Sequence, residues 1–352
     1  MSKVLLLVDY RGAFWSAYRN IATLCSLDVE RIAAELTARG CDVQVQGFAD
    51  LDLARDDLEG TFVLYTSSED IGAHYKRYIE AQVIGLRLAG ALPIPEPELL
   101  LAHHDKVMME VVRQARLGDA PGQLASRSFG TLEDFRAALD ELPARPTVLK
   151  PASGAGSRGV TLVTGRRESL RAARRLTRSV RPRELLSEVA RRVARPGYVP
   201  RSLHRRPIVA QQFLPGLVGD HKVLRYGERY YVIRRANRPN DFRASGGGRL
   251  DFTPVPAVDV DLLDAAQQWS DALGSPFCSL DIAYDPAHGI APHLLEFQCV
   301  NFGPGAAEFS SGHYRAGSDG WERVSESCNL ERVFAEAAAG HIAQLASAPD
   351  RA

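Results

Sequence analysis

Three groups of residues in this chain have the types and spacing to do chemistry. The first is Lys150, which ends the apolar run from Thr147 and is followed by Pro151-Ala152-Ser153-Gly154-Ala155-Gly156-Ser157-Arg158-Gly159. A lysine at a strand end beside exposed backbone N–H groups suits polyphosphate, because the ammonium and the N–H dipoles both favour anionic oxygens. Glycine lets the backbone approach those oxygens closely. The spacing is neither GxxxxGKS/T nor a GxGxxG that opens a helix, so the P-loop and dinucleotide patterns are excluded. A plain hairpin turn is the bland alternative.

The second group is a pair of carboxylates inside apolar runs, Asp281 in Ser279-Leu280-Asp281-Ile282-Ala283 and Glu296 in Leu295-Glu296-Phe297-Gln298. A carboxylate among core residues is costly unless a cation compensates it. On adjacent antiparallel strands the two would share Mg²⁺ ions with the phosphates of a nucleotide, or else form salt bridges within the core. The third group runs from Gly219-Asp220-His221-Lys222 through Arg234-Arg235 to Asn240-Asp241-Phe242-Arg243 and the triple glycine Gly246-Gly247-Gly248. Cationic side chains here would neutralise charge on a transferred phosphoryl group, or would simply be surface arginines. Of His103, His104, His204 and His293, none is singled out as a general base.

These groups need elements to hold them. Lys3 to Val8 reads as a buried strand, Val29 to Ala38 as a helix, and Val43 to Phe48 and Thr61 to Tyr65 as further strands, which predicts a small doubly wound α/β domain. The loops Asp9 to Phe14 and Thr66 to Tyr75 lie where such sheets bind ligands, or else cap helices. The proline-rich stretch Pro93 to Pro97 is the expected domain boundary. A helix over Val107 to Arg116 follows, then the hairpin of Thr147 to Lys150 with Val160 to Val163. Strands return at Ile208 to Phe213, Lys222 to Tyr226, Arg229 to Arg234, Phe277 to Tyr284 and His293 to Gln298, before a last helix from Leu330 to Leu345.

The bulk composition sets limits. Lysine plus arginine and aspartate plus glutamate are both 43, so no global field implies nucleic acid or a membrane surface as partner. The exception is local: residues 166–206 hold fourteen arginines against three glutamates. That is a solvated helix face or a grip on an acidic partner, and no interleaved aromatics support base stacking. Cys25, Cys41, Cys278, Cys299 and Cys328 are odd in number and lack zinc-ligand spacing, which reads as reduced thiols in a cytoplasmic protein. The run Val4 to Val8 is too short for a signal or a membrane span.

In this order the pieces resemble the ATP-grasp superfamily, and within it the glutathione synthetases and ribosomal-protein glutamate ligases, from about Leu99 to the C-terminus. The resemblance implies an α/β chain in three parts: a pre-ATP-grasp α/β domain over 1–97, a first ATP-grasp part with a lid over 98–213, and a C-terminal subdomain with the metal and substrate site over 214–352. It implies that Lys106 and Lys150 bind nucleotide phosphates, under a mobile lid formed by Ser153, Gly154, Ala155, Gly156, Ser157 and Gly159. Gln211, Gln212, Phe213 and Leu214 resemble the hinge that meets adenine, Asp220 the ribose-contacting acid, and Lys222 stands where the family often has a phosphate-binding arginine. Asp281 and Glu296 match the metal carboxylates. The usual third ligand is an asparagine two residues after the glutamate; here that position is Gln298, with Asn301 three further on, and either is a candidate.

The expected reaction joins a carboxylate to an amine, with ATP and two Mg²⁺ (Mn²⁺ substituting) and with Arg234, Arg235, Arg243 and Lys222 stabilising an acyl phosphate. The expected substrates are amino acids or small peptides, gripped from the loops named above and from Phe302 to Tyr314, with Arg11 or Arg315 on a carboxylate. Neither a membrane nor a nucleic acid or carrier is an expected partner, and the resemblance leaves the oligomeric state open, a homo-oligomer included. Two alternatives stand beside this reading: an ATP-grasp kinase acting on a small hydroxylated metabolite, and a non-catalytic nucleotide-binding module that uses the arginine-rich segment.

Overall fold

The computed structural model describes residues 1–15, 27–54, 56–70, 72–118, 120–142, 146–154, 159–237, 242, 249–251 and 259–347. Its first unit is built around β1 (Ser2–Val8), which is buried from Val4 to Val8. With α1 (Val29–Ala38), β2 (Cys41–Gly47), β3 (Phe62–Tyr65), α2 (His74–Leu88) and β4 (Leu92–Ile94) it forms a four-stranded parallel sheet in the order β2-β1-β3-β4. Val4 and Leu6 pack with Ile32 and Leu36 of α1 on one face. Leu5 and Leu7 pack with Ile79, Val83 and Leu86 of α2 on the other. A strand covered on both faces must be apolar throughout rather than alternating, and each such side chain contributes about 1.5–3 kcal/mol. Asp28 starts α1 by accepting hydrogen bonds from the N–H groups of Glu30 and Arg31.

The first residues of the proline-rich stretch belong to the first sheet. Leu92–Ile94 pairs in parallel with β3, so Pro93 lies within the edge strand of this sheet, where a missing N–H is tolerated. The Ile94–Pro95 peptide is cis, and the chain leaves the sheet through α3 (Pro97–Ala102).

The second unit holds α4 (Lys106–Leu117), β5 (Ser126–Phe129), α5 (Leu132–Ala137), β6 (Thr147–Pro151), β7 (Thr161–Val163), α6 (Arg166–Thr177), α7 (Pro182–Ala194) and β8 (Ile208–Gln212). Its strands make an antiparallel sheet in the order β5-β8-β6-β7. Phe135 of α5 and Ala172 and Ala173 of α6 pack against Leu149, Ile208 and Ala210. The arginines of α6 are spent on solvent and on local partners, with Arg166 paired to Asp140 and Arg175 to Thr161, as a solvated face requires.

The third unit comprises β9 (Gly219–Tyr226), β10 (Arg229–Ala236), β11 (Arg249–Asp251), α8 (Val260–Leu273), β12 (Phe277–Asp285), β13 (Ile290–Gln298), α9 (Gly305–Glu308), β14 (His313–Gly317), β15 (Gly320–Val324) and α10 (Leu330–Ser347). Its sheet runs β13-β12-β9-β10-β14-β15, with β11 added to β10. Val223, Val232, Leu280 and Ile282 face α4 and α8. Leu224, Tyr226, Ile233 and Phe277 face Phe334 of α10 and Trp15 of the first unit in one continuous core. The apolar core therefore crosses the expected boundary at residue 97. Among the described residues no helix is long and apolar enough to cross a membrane, and Cys41, Cys278, Cys299 and Cys328 are free thiols.

Candidate active site

Strand register lines up the candidate residues on one face of the large sheet. Asp281 of β12 stands opposite Glu296 of β13 on one side and opposite Lys222 of β9 on the other. Asp220, two residues before Lys222, is paired with Arg235 of β10. Side chains directly opposite each other share a face, and so do residues two apart on one strand. Glu296, Asp281, Lys222, Asp220 and Arg235 therefore share one face of the sheet, with Ile233 opposite Lys222 and with Leu224 and Tyr226 further along.

Within that row Arg235 is the hub. Its Nε and Nη2 donate to the two carboxylate oxygens of Asp220 at 2.6 and 2.7 Å, and Nη2 lies 2.8 Å from Asp281 Oδ2. The Lys222 ammonium is 3.4 Å from the other Asp281 oxygen. Burial by itself would raise the Asp281 carboxyl, but the charges of Arg235 and Lys222 outweigh it and hold that group at about 2. Burial opposes the charge of Arg235, and its two carboxylate partners more than restore it, so its pKa is raised.

The second sheet brings the two lysines. Asp105 caps α4 by accepting from the N–H groups of Val107 and Met108. It also forms a bridge with Ser153, while the Lys106 N–H donates to the Ala152 carbonyl at 2.8 Å. The start of α4 is thus stitched to the loop after β6. The Lys106 ammonium then reaches the Gly154 carbonyl at 3.4 Å and Glu296 Oε1 at 3.5 Å, spanning the seam between the two sheets. Gly154 has φ +137, a conformation that L side chains rarely adopt. Lys150, at the end of β6, is paired with Val209. Burial lowers its pKa and the charge of Glu296 partly offsets this. The seam is closed at its far end by Gly122, where a Cβ would lie 2.3 Å from the Pro292 carbonyl oxygen, so only glycine fits.

Several expected residues sit elsewhere. Asp220 is fully buried and both its oxygens are taken by Arg235, so it presents nothing to a ribose and instead anchors the arginine. Arg234 stands opposite His221 on β9 and is exposed on the other face of the sheet, away from Asp281. Asn301 is used up as a tie. Its Oδ1 accepts from the Ser67 N–H at 3.1 Å and lies 3.3 Å from Thr66 Oγ1, and its Nδ2 donates to the carbonyls of Trp15 and Ser67 at 2.8 and 3.1 Å. That leaves Gln298, half-buried and on the Glu296 face of β13, as the amide near the carboxylates. Arg11 is paired with Asp9 and Arg315 with Glu322, and both guanidinium groups are partly exposed. Gln211 is buried inside β8, and the Gln212 N–H donates to the Ala125 carbonyl; Phe213 and Leu214 follow the last paired residue. Gly159 has φ +78. Ala155, Gly156, Ser157 and Arg243 lie outside the described residues.

One polar cluster was not read from the sequence. Glu110 of α4 is buried and accepts from Arg113 Nε at 2.8 Å and from Ser126 Oγ, and its charge and that of Arg113 both act on Lys150. A glutamate inside Val107-Met108-Met109-Glu110-Val111-Val112 was its only signal.

The row and the lysines together hold three acids, Asp220, Asp281 and Glu296, against four bases, Arg235, Lys222, Lys106 and Lys150. A site with more basic than acidic side chains and two carboxylates facing each other fits an anion that arrives with its own cation. Polyphosphate with a divalent metal is such a ligand, and the hard oxygen donors of Asp281 and Glu296 suit Mg²⁺.

No protein-family model matches the sequence, and no curated protein is similar to it. Solved structures are similar in fold. The crystal structure of D-cycloserine synthetase DcsG superposes with a TM-score of 0.53 at 17% identity, over 97% of this chain and 100% of that one. The ATP-grasp ligase PsnB complexed with minimal precursor superposes with a TM-score of 0.51 at 14% identity, over 98% and 99%. The chain shares the fold of these two structures, the second of which is an ATP-grasp ligase.

Proposed function

We propose that the protein is an ATP-dependent carboxylate–amine ligase that releases ADP and phosphate. The observation that carries this reading is the seam itself: Lys106 bridging to Glu296, with Asp281, Lys222 and Arg235 continuing the row, between two sheets joined as a clasp. Lys106 and Lys150 would hold the nucleotide phosphates, and Phe213 and Leu214 would meet the adenine. Asp281 and Glu296, with Gln298, would hold Mg²⁺, which when bound supplies Lewis-acid neutralisation of phosphate charge.

In the first step a substrate carboxylate oxygen attacks the γ-phosphorus, and the bond from that phosphorus to the β–γ bridging oxygen breaks to leave ADP. In the second step an amine attacks the acyl carbon; the carbon–oxygen bond to phosphate breaks, inorganic phosphate leaves and the amine loses a proton. Arg235 and Lys222 would supply positive charge to the phosphoryl oxygens through both steps, held in place by Asp220 and Asp281. Preorganised cations of this kind need no rearrangement as charge develops. The loop after β6 would close over the site and keep water from the acyl phosphate. The acid and amine are proposed to be amino acids or short peptides; the similar structures include a D-cycloserine synthetase and a ligase complexed with minimal precursor.

The test is mass spectrometry of the products after the protein, Mg-ATP and a mixed pool of amino acids, small carboxylic acids and polyols have reacted. A product equal to acid plus amine minus water, formed with ADP, supports the ligase. Phosphate retained on a hydroxyl compound would make the protein a kinase, and no nucleotide consumption would leave a binding module.

A further inference from the structure

A second polar cluster stands apart from the phosphate row. Glu69 lies in the loop after β3, and His103 and His104 lie between α3 and α4. One ligand atom from each residue falls within 4.8 Å of the others. The two imidazoles overlap at 4.1 Å between ring centres with a 33° tilt, and His104 Nε2 is 3.5 Å from Glu69 Oε1.

His103 is 1% exposed, and neither of its ring nitrogens has a hydrogen-bond partner among the described residues. Leaving a buried donor or acceptor unpaired costs about 1–3 kcal/mol, so two on one ring need an explanation. Burial, then the neighbouring charges of His104 and Lys76, push the proton affinity of His103 well below the usual imidazole range. Lys76, the buried cation nearby, is neutralised by Glu80 and donates to the Leu100 carbonyl at 3.2 Å.

We infer that Glu69, His103 and His104 form a binding site for a divalent transition metal of the zinc class. Two imidazoles and one carboxylate are the donor set of open zinc sites, whereas Mg²⁺ prefers oxygen alone. Tetrahedral ligands at about 2.0–2.1 Å from zinc lie about 3.3–3.4 Å apart. The His104–Glu69 pair already has nearly that spacing, and with the remaining pairs within 4.8 Å the third ligand needs a shift of about 1.5 Å at most. Glu69 is the exposed member, so a fourth position opens on its side to water or another donor.

The site's place in the fold gives it a consequence. The loop that carries Glu69 also carries Thr66 and Ser67, which hold Asn301. His104 directly precedes Asp105, the cap of α4, and Lys106. A bound ion would pin the first unit to the start of the helix that reaches across the seam.

The inference does not depend on the ligase reading, and its experiment uses no turnover. Full-length protein is stripped with a chelator and titrated with Co²⁺ alone, followed by its visible absorption, and then with Zn²⁺ as competitor. The expected result is one Co²⁺ per chain with the intense bands of a four-coordinate site, displaced by Zn²⁺. His104→Gln and Glu69→Gln should each weaken binding at least about tenfold with unchanged thermal melting, while Asp281→Asn binds as the wild type does. Absorption no stronger than that of aqueous Co²⁺, binding unaltered by both ligand variants, or loss in Asp281→Asn would each overturn the inference.

Discussion

Arg235→Met tests the electrostatic core of the proposed site directly. The substitution keeps an unbranched stem of similar girth and removes the charge that Asp220 and Asp281 share. Asp220 is fully buried and would lose both of its hydrogen bonds, while Asp281 would keep only Lys222 at 3.4 Å. Removing one partner of a buried pair costs about 3–5 kcal/mol, because the remaining charge stays desolvated. Two carboxylates are stranded here, and the upper end of that range is expected.

The assay is equilibrium unfolding in urea at pH 7.5. Asp220→Asn combined with Arg235→Met should cost less than the two single changes added together, by about 1–3 kcal/mol, the coupling expected of groups in one network. The acid limb gives a second reading. The folded Asp281 carboxyl, at about 2, lies below its ordinary value of 3.8. The stability it contributes is therefore present above the ordinary carboxylate range and lost as pH falls toward about 2. Arg235→Met should remove much of that acid dependence. A loss under about 1 kcal/mol, or strict additivity with Asp220→Asn, would refute the hub role drawn from the geometry.

Other outcomes follow from the same structure. Glu296→Gln keeps volume and removes a proposed metal ligand, so turnover should fall about a thousandfold, the several kcal/mol that a phosphate-bound metal supplies, with the melting temperature unchanged; full activity would exclude the assignment. Asn301→Ala deletes hydrogen bonds to Trp15, Thr66 and Ser67 and leaves Ala at φ +46, which should cost about 2–4 kcal/mol by denaturation. A wild-type midpoint would show that the tie is dispensable. His221 is pushed down to about 4 by burial and then by Arg234, so the unfolded chain binds its proton first. Stability should fall as pH drops from about 6.5 toward about 4, by up to about 3 kcal/mol, and His221→Gln should flatten that limb of the curve.

Much of this was legible in the residues. An unbroken apolar run predicted β1 as a strand covered on both faces, because only burial on both sides tolerates such a run in water. Lys150 before a glycine loop, and acids at 281 and 296 inside apolar strands, were conspicuous because isolated charges are expensive in a core. Local chemistry of that kind survives in a one-dimensional reading. Other features did not. Pro93 looks like a breaker until its strand is found at a sheet edge, and α8 and the β14–β15 hairpin carry no chemical signal of their own.

The division is sharpest at Asp220, Arg234 and Asn301. The sequence by itself determined that charged and amide side chains occur at those positions, and in which order. Only strand register decided that Arg235 turns toward Asp281 while its neighbour Arg234 turns away, since one residue of offset reverses the face. Only long-range packing decided that Asp220 is consumed by Arg235 and Asn301 by the loop at Ser67, because a hydrogen-bonding group has a limited number of partners and the fold chooses them. Residue type sets what a side chain is able to do, and the tertiary structure sets what is left for it to do.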